Sequence, residues 1–385
     1  MNNNQNGYYG QGNNTNGYGY NNQGNNAGGY GYGNQNGYGY NYGNQNGYGT
    51  NQPQYGYGGN GYRPSPGYMK IETPKMKREK AGIKTISIWA GIGVLLTFVV
   101  SFIISLAAFI PGVKEAYNSS ELFENGYGIL TSLLFIGVPF LISYKALKSR
   151  VSFTLPYGRP HNKRSFVLLI IMGIAGSFLA NYVVAIISMI LNAGGLEMVS
   201  PEYETPKTAL GIILYVIYIS VVPAMTEEFA FRGVIMQPLR KYGDKFAIVM
   251  SALVFGLMHG NAVQAIFAFI VGIIIGYAVV VTGSMWTGIA IHFFNNFVSA
   301  VLDLAGNYVS NSTYNMIYVL YSVLLVAAGL VCAVLYFYTK DRVRIPVPST
   351  ELSEKKKRSA FICTPPLIAA LCIMILSTLQ SFKFT

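Results

Sequence analysis

From residue 83 onward, long apolar stretches alternate with short charged ones. Nine stand out, over residues 83–110, 126–144, 165–191, 209–238, 246–260, 262–282, 284–305, 313–339 and 361–381. At a helical rise of about 1.5 Å per residue, a stretch of this kind crosses an apolar core of roughly 30 Å, and only the fifth looks short. Inside lipid a backbone must satisfy its own hydrogen bonds, which helices do within one segment. The pattern therefore predicts an all-α fold, a polytopic membrane helix bundle of about eight or nine transmembrane helices.

The region before the first stretch obeys another rule. Residues 1–68 are almost wholly Asn, Gly, Tyr and Gln, with GNQNGYG at 33–39 and again at 43–49, and Arg63 as their one charge. Such a segment buries too little aliphatic surface to offset its ordering entropy and is expected to be a disordered tail. It lacks a charged start followed by an apolar core, so it does not read as a cleaved signal peptide. Two regions follow: the tail at 1–68 and a polytopic membrane domain at 69–385.

Composition sharpens this picture. Hydrophobic residues make up 51% of the chain and charged ones 11%, where soluble domains carry roughly 25% charged, so an ordinary soluble enzyme is excluded. Cys332, Cys363 and Cys372 all lie in apolar runs without CxxC spacing, which indicates neither a disulfide framework nor a Cys-rich zinc site. The net charge of +12 suggests nucleic acid until its placement is examined. Most basic residues fall around Lys70–Lys84, Lys145–Arg164, Arg240–Lys245 and Lys340–Arg358, whereas the alternate loops carry Glu115, Glu121 and Glu124, or Glu197, Glu202 and Glu204. This is the positive-inside alternation, with the N-terminus cytoplasmic and the C-terminus on the opposite face. The expected partner on this ground is the bilayer, with no nucleic acid.

Ionisable groups are costly at membrane depth and mark candidate sites. They concentrate between residues 226 and 303, in EEFAFR at 227–232, FGLMH at 255–259 and HFFNN at 292–296. Glu228 and Arg232, four apart with the acid first, can pair along one helix face. Glu227 points about 100° away and keeps no such partner. His292, Asn296, Ser299 and Asp303 recur at spacings of 4, 3 and 4 and share one stripe, the last two reading as support. Pro223, one turn before the carboxylates, is expected to kink its helix and open space beside them. Gly272 and Gly276 form a close-packing GxxxG, and His161 sits in a solvated basic loop. An unpaired carboxylate and a neutral His at membrane depth can deprotonate water, while a second His and an amide can donate to an oxyanion, which makes amide hydrolysis the natural reaction. Glu227, His259 and His292 could equally supply three ligands of a catalytic Zn²⁺.

EExxxR, FxxxH and HxxxN in that order on successive spans resemble the CPBP family, the CAAX-protease and bacteriocin-processing (Abi-type) intramembrane peptidases that include the type II CAAX prenyl endopeptidase. The resemblance covers a catalytic core of about residues 165–340. It implies a bundle opening toward the cytosol, with Glu227 and His259 activating water and His292 and Asn296 forming the oxyanion site. Arg232 and Phe255 carry over as structural members and Glu228 as an auxiliary carboxylate. A preferred mechanism needs no metal, with Zn²⁺ as the alternative. The tail and the ninth apolar stretch depart from the family pattern. The rival reading is a non-catalytic membrane protein, either a bacteriocin-immunity factor or a transporter relaying protons through its Glu and His. A transporter would show two matching halves, and no such internal symmetry is visible.

Overall fold

The computed structural model describes residues 72–200, 205–338 and 349–384; the tail at 1–68 lies outside the described residues. Among those described, the chain is helical apart from one small β-pair. The helices are α1 (Pro74–Leu106), α2 (Pro111–Ser119), α3 (Glu121–Lys148), α4 (Lys163–Ala193), α5 (Ala209–Tyr242), α6 (Asp244–Leu257), α7 (Ala262–Thr282), α8 (Met285–Tyr308), α9 (Asn311–Phe337), α10 (Glu354–Ile362) and α11 (Pro365–Leu379). Strands β1 (Leu196–Met198) and β2 (Phe382–Phe384) pair antiparallel, with Leu196 opposite Phe384.

Local chemistry sets many of the helix ends. Thr73 caps α1 ahead of Pro74, a residue whose missing N–H costs nothing in a first turn. Asn162 accepts from the N–H groups of Arg164 and Ser165 at 2.8 and 3.1 Å to open α4, and Asn261 does the same for α7 through Gln264. Gly283, in the left-handed region at φ 65°, ends α7 and turns the chain directly into α8.

Seven described helices are long and apolar enough to cross a membrane, or up to eight if the bent pair α10–α11 counts as one. All nine apolar stretches are helical, but two are not simple crossings. The fifth, α6, has only 14 residues. The ninth becomes α10 and α11 meeting at 80°, because Pro365 and Pro366 follow Thr364 and cannot continue a helix that precedes them. Large apolar side chains such as Phe102 and Ile103 on α1 or Leu320, Val323 and Leu324 on α9 stay exposed, as lipid-facing surfaces do. The chain is an integral, multi-pass membrane protein.

Loop contacts sort the bundle into two ends. At one end the N–H of His161 bonds to Thr282 at 2.9 Å, Ser284 donates to Gly158 at 2.7 Å, and the Glu79 carboxylate accepts from Leu352 at 3.1 Å. This end gathers the basic loops. At the other end Glu121 accepts from the N–H groups of Lys207 and Thr208 at 2.9 and 3.1 Å, Asn307 donates to Thr205, and the α7 start is tied to Ser381 at 2.9 Å. Pro74 and Phe384 thus lie at opposite ends of the bundle.

Small residues let the site's helices approach. A Cβ at Gly272 would stand 3.0 Å from that of Ala252, and one at Gly276 would stand 3.1 Å from Ile248 Cγ2, so the GxxxG packs α7 against α6. At Gly91 a Cβ would fall 2.4 Å from the Leu367 backbone, the closest approach of α1 to α11.

Candidate active site

Helix α5 changes its winding where the carboxylates sit. Residues Ile217–Val221 are π-helical, Val222–Glu227 return to α, and Glu228–Met236 are π-helical again. Pro223, two residues past the first π-helical segment, withholds the N–H that the Ile219 carbonyl four residues earlier would otherwise accept, and α5 runs through 34 residues as one span. Wider turns leave carbonyls with spare capacity, and one of them is used: Asn296 donates through Nδ2 to the Ile219 carbonyl at 3.0 Å. Its Oδ1 accepts from Asn295 at 3.0 Å. An amide carries two N–H donors, so this geometry anchors Asn296 with one.

The adjacent carboxylates part company. Glu228 is fully buried and pairs with Arg232 at 3.2 Å, as their spacing of four predicts. The same oxygen, Oε1, lies 2.9 Å from His292 Nδ1, a contact between residues 64 apart that no local spacing reveals. Glu227 is half-buried, and its Oε2 lies 3.8 Å from His292 Nε2. That is too far for a direct hydrogen bond and leaves room for a third group.

The ring of Phe255 organises the other side. The Arg232 guanidinium lies 4.3 Å from its centroid, and the rings of His259 and His292 stand 5.1 and 5.9 Å away. Arg232 Nη2 also reaches the Gly272 carbonyl at 3.5 Å, which a bare glycine makes accessible. His259 Nδ1 lies 3.0 Å from the Phe255 carbonyl. A carbonyl only accepts, so Nδ1 carries the proton and Nε2 keeps its lone pair.

Glu227, His259, His292 and Asn296 all line one cavity of about 870 Å³, together with Pro223, Thr226 and Phe255. Glu228 and Arg232 are absent from its wall and support it from behind. Residues that sequence reading left unassigned join them. Gly288, one turn before His292, is needed because a Cβ there would stand 2.9 Å from Glu228 Oε2; its place on the His292 stripe was the available signal. At the basic end Trp286 donates to the Tyr157 carbonyl at 2.8 Å. Burial first, and the Glu228 charge second, push the Tyr157 hydroxyl above its ordinary range. His161 is exposed, its ring laid over Gly283.

The described wall of the cavity runs from mid-bundle toward the end opposite the basic loops, as far as Ser200, Asp303 and Tyr314. A cytoplasmic N-terminus and a cavity opening to the cytosol, both expected from sequence, therefore conflict with each other.

The donors do not fit a metal. Among the described residues, no three His, Cys, Asp or Glu side chains are grouped to hold one ion. Glu227 and His292 approach one another at 3.8 Å, and no third such side chain is grouped with them among the described residues.

Residues 209–298 match the family model of the type II CAAX prenyl endopeptidase, Rce1-like. That interval holds all three motifs, from Glu227 to Asn296, and is similar to the CAAX-protease family over those residues. No curated protein and no solved structure matches the chain.

Proposed function

We propose that this protein is an intramembrane endopeptidase that hydrolyses a peptide bond of a membrane-associated protein or peptide with water activated by Glu227 and His259. The observation that carries the reading is the convergence of Glu227, His259, His292 and Asn296 on one cavity wall. Glu227 is the base because it is the carboxylate that faces the cavity and is not paired with Arg232. His259 Nε2, holding its lone pair, orients the same water. As Glu227 takes the proton, the hydroxide oxygen bonds to the scissile carbonyl carbon, and the carbonyl π electrons move to oxygen. Nε2–H of His292 and the free amide N–H of Asn296 donate to that oxyanion. When the C–N bond breaks, Glu227 returns its proton to the leaving amine.

For Nε2 of His292 to donate while Nδ1 donates to Glu228, the ring must be an imidazolium. Glu228 is then the positioning residue that fixes His292. No step requires a metal.

The positive-inside rule supports a cytoplasmic position for the end that carries the basic loops. On that orientation the cavity faces away from the cytosol, and the substrate is a peptide presented from the opposite side rather than a prenylated cytosolic terminus. Full-length protein in nanodiscs, given a peptide library in isotopically labelled water, tests the chemistry. Each new carboxyl terminus should carry label from water and be missing with Glu227→Gln. Absence of new termini with wild type would overturn the reading. Stoichiometric zinc whose removal and return abolish and restore cleavage would overturn the metal-free mechanism.

A further inference from the structure

The cavity continues well beyond the reacting groups. On α8 the stripe that carries His292 and Asn296 extends through Ser299 to Asp303, and all four line the wall. Asp303 is exposed and, among the described residues, has no hydrogen-bond or ion-pair partner. It and Glu227 are the wall's carboxylates, and no Lys or Arg appears among the described lining residues. Arg232, the cation nearest the chemistry, is already paired with Glu228. Facing the outer stripe are Tyr314, Tyr318 and Tyr321 of α9, the first two stacked at 6.3 Å between centroids. A free carboxylate beside tyrosine rings, in a described wall without Lys or Arg, suits a positively charged group through ion pairing and cation–π attraction.

We infer that the outer cavity selects its peptide by charge, with Asp303 pairing to a Lys or Arg side chain of the bound segment. Resting on the peptidase reading, this makes Asp303 a specificity residue. Its distance from the chemistry sets the register. Eleven residues separate His292 from Asp303, a rise of roughly 16 Å along α8. An extended peptide advances about 3.3 Å per residue, so the basic side chain should stand about four to five residues from the cleaved bond, allowing for its own length. Acidic residues at that register are disfavoured by Asp303, and no Lys or Arg among the described lining residues compensates them.

The test measures binding separately from cleavage. Full-length protein in nanodiscs is titrated with dye-labelled peptides long enough to reach from Glu227 to Asp303, identical except for Lys, Gln or Glu scanned along the segment. Wild type should bind the Lys peptide roughly tenfold more tightly than the Glu peptide at the matching register, with the difference shrinking as salt rises. Asp303→Asn should erase the preference, Asp303→Glu should retain it, and Asp303→Lys should invert it, each checked for thermal stability. For a cleaved peptide, Asp303→Asn should raise KM and leave kcat nearly unchanged. Equal affinity of wild type for all three peptides, binding of none, or an undiminished preference in folded Asp303→Asn would overturn the inference. Charge-selective binding without cleavage would sink the peptidase reading alone; cleavage without charge selection would sink this inference alone.

Discussion

Glu227 and Glu228 are adjacent and chemically identical, and their surroundings give them different work. Glu228 is fully buried against Arg232 and His292, whereas Glu227 faces the cavity with no cation bonded to it. Replacing Glu227 by Gln keeps shape and hydrogen bonding but removes the base, so turnover per folded molecule should fall by roughly 10²–10⁴-fold with thermal stability unchanged. Glu228→Gln leaves Arg232 and His292 facing a neutral amide, and breaking such a buried pair costs about 3–5 kcal/mol. Its main effect should be a lower melting temperature in detergent, accompanied by partial loss of turnover through a loosened His292. Near-normal turnover in Glu227→Gln beside a folded but inactive Glu228→Gln would invert these roles. The ion pair was legible in the sequence because four residues make one helical turn. The Glu228–His292 contact was not, since it joins helices 64 residues apart in the chain.

At the scale of elements, the apolar stretches were readable because hydropathy reports burial in lipid directly, and the stripe on α8 was readable because helical period fixes which residues share a face. Length and packing decided the rest. Helix α6 is shorter than the other crossings, and the bend that Pro365 and Pro366 set between α10 and α11 is docked against α1, where Ser87 reaches both the Phe361 carbonyl and Thr364. The winding change in α5 has no periodic signature beyond Pro223. Gly288 joins these levels: in Gly288→Ala the new Cβ would meet Val279 Cγ2 at 2.7 Å and Glu228 Oε2 at 2.9 Å. Overpacking of this kind costs typically 1–3 kcal/mol; turnover should fall more than stability alone explains, because Glu228 and with it His292 must shift. A variant as active per folded molecule as wild type would contradict the positioning role. Outside the membrane, Glu72 is held below its ordinary 4.5 chiefly by its hydrogen bond from Lys80, with Lys356 adding to it. A lowered carboxylate pKa stabilises fully above the unfolded value and loses that contribution as pH falls through the lower folded one. The tie between α1 and α10 should therefore hold at pH 5–7 and loosen only below about pH 4.5, seen as faster amide exchange over residues 349–356. Loosening already at neutral pH would show that Glu72 contributes nothing.

At the scale of the whole molecule, the basic loops gather at one end while the cavity wall reaches the other, and the side from which substrate approaches depends on that relation. Single cysteines placed at Lys75 and Phe384 in a background free of native cysteine should label from opposite faces, with Lys75 on the cytoplasmic one. Labelling of both from one face would break the two-ended arrangement of the bundle, and Lys75 labelling from outside would turn the cavity toward the cytosol. The central claim is that the cavity hydrolyses peptide bonds through Glu227. Its most direct test is quantitative mass spectrometry of peptide termini in cells carrying either wild type or Glu227→Gln at equal levels of folded membrane protein. The account predicts at least one cleaved product that is abundant with wild type and lost with Glu227→Gln; identical sets of termini in the two strains would contradict it.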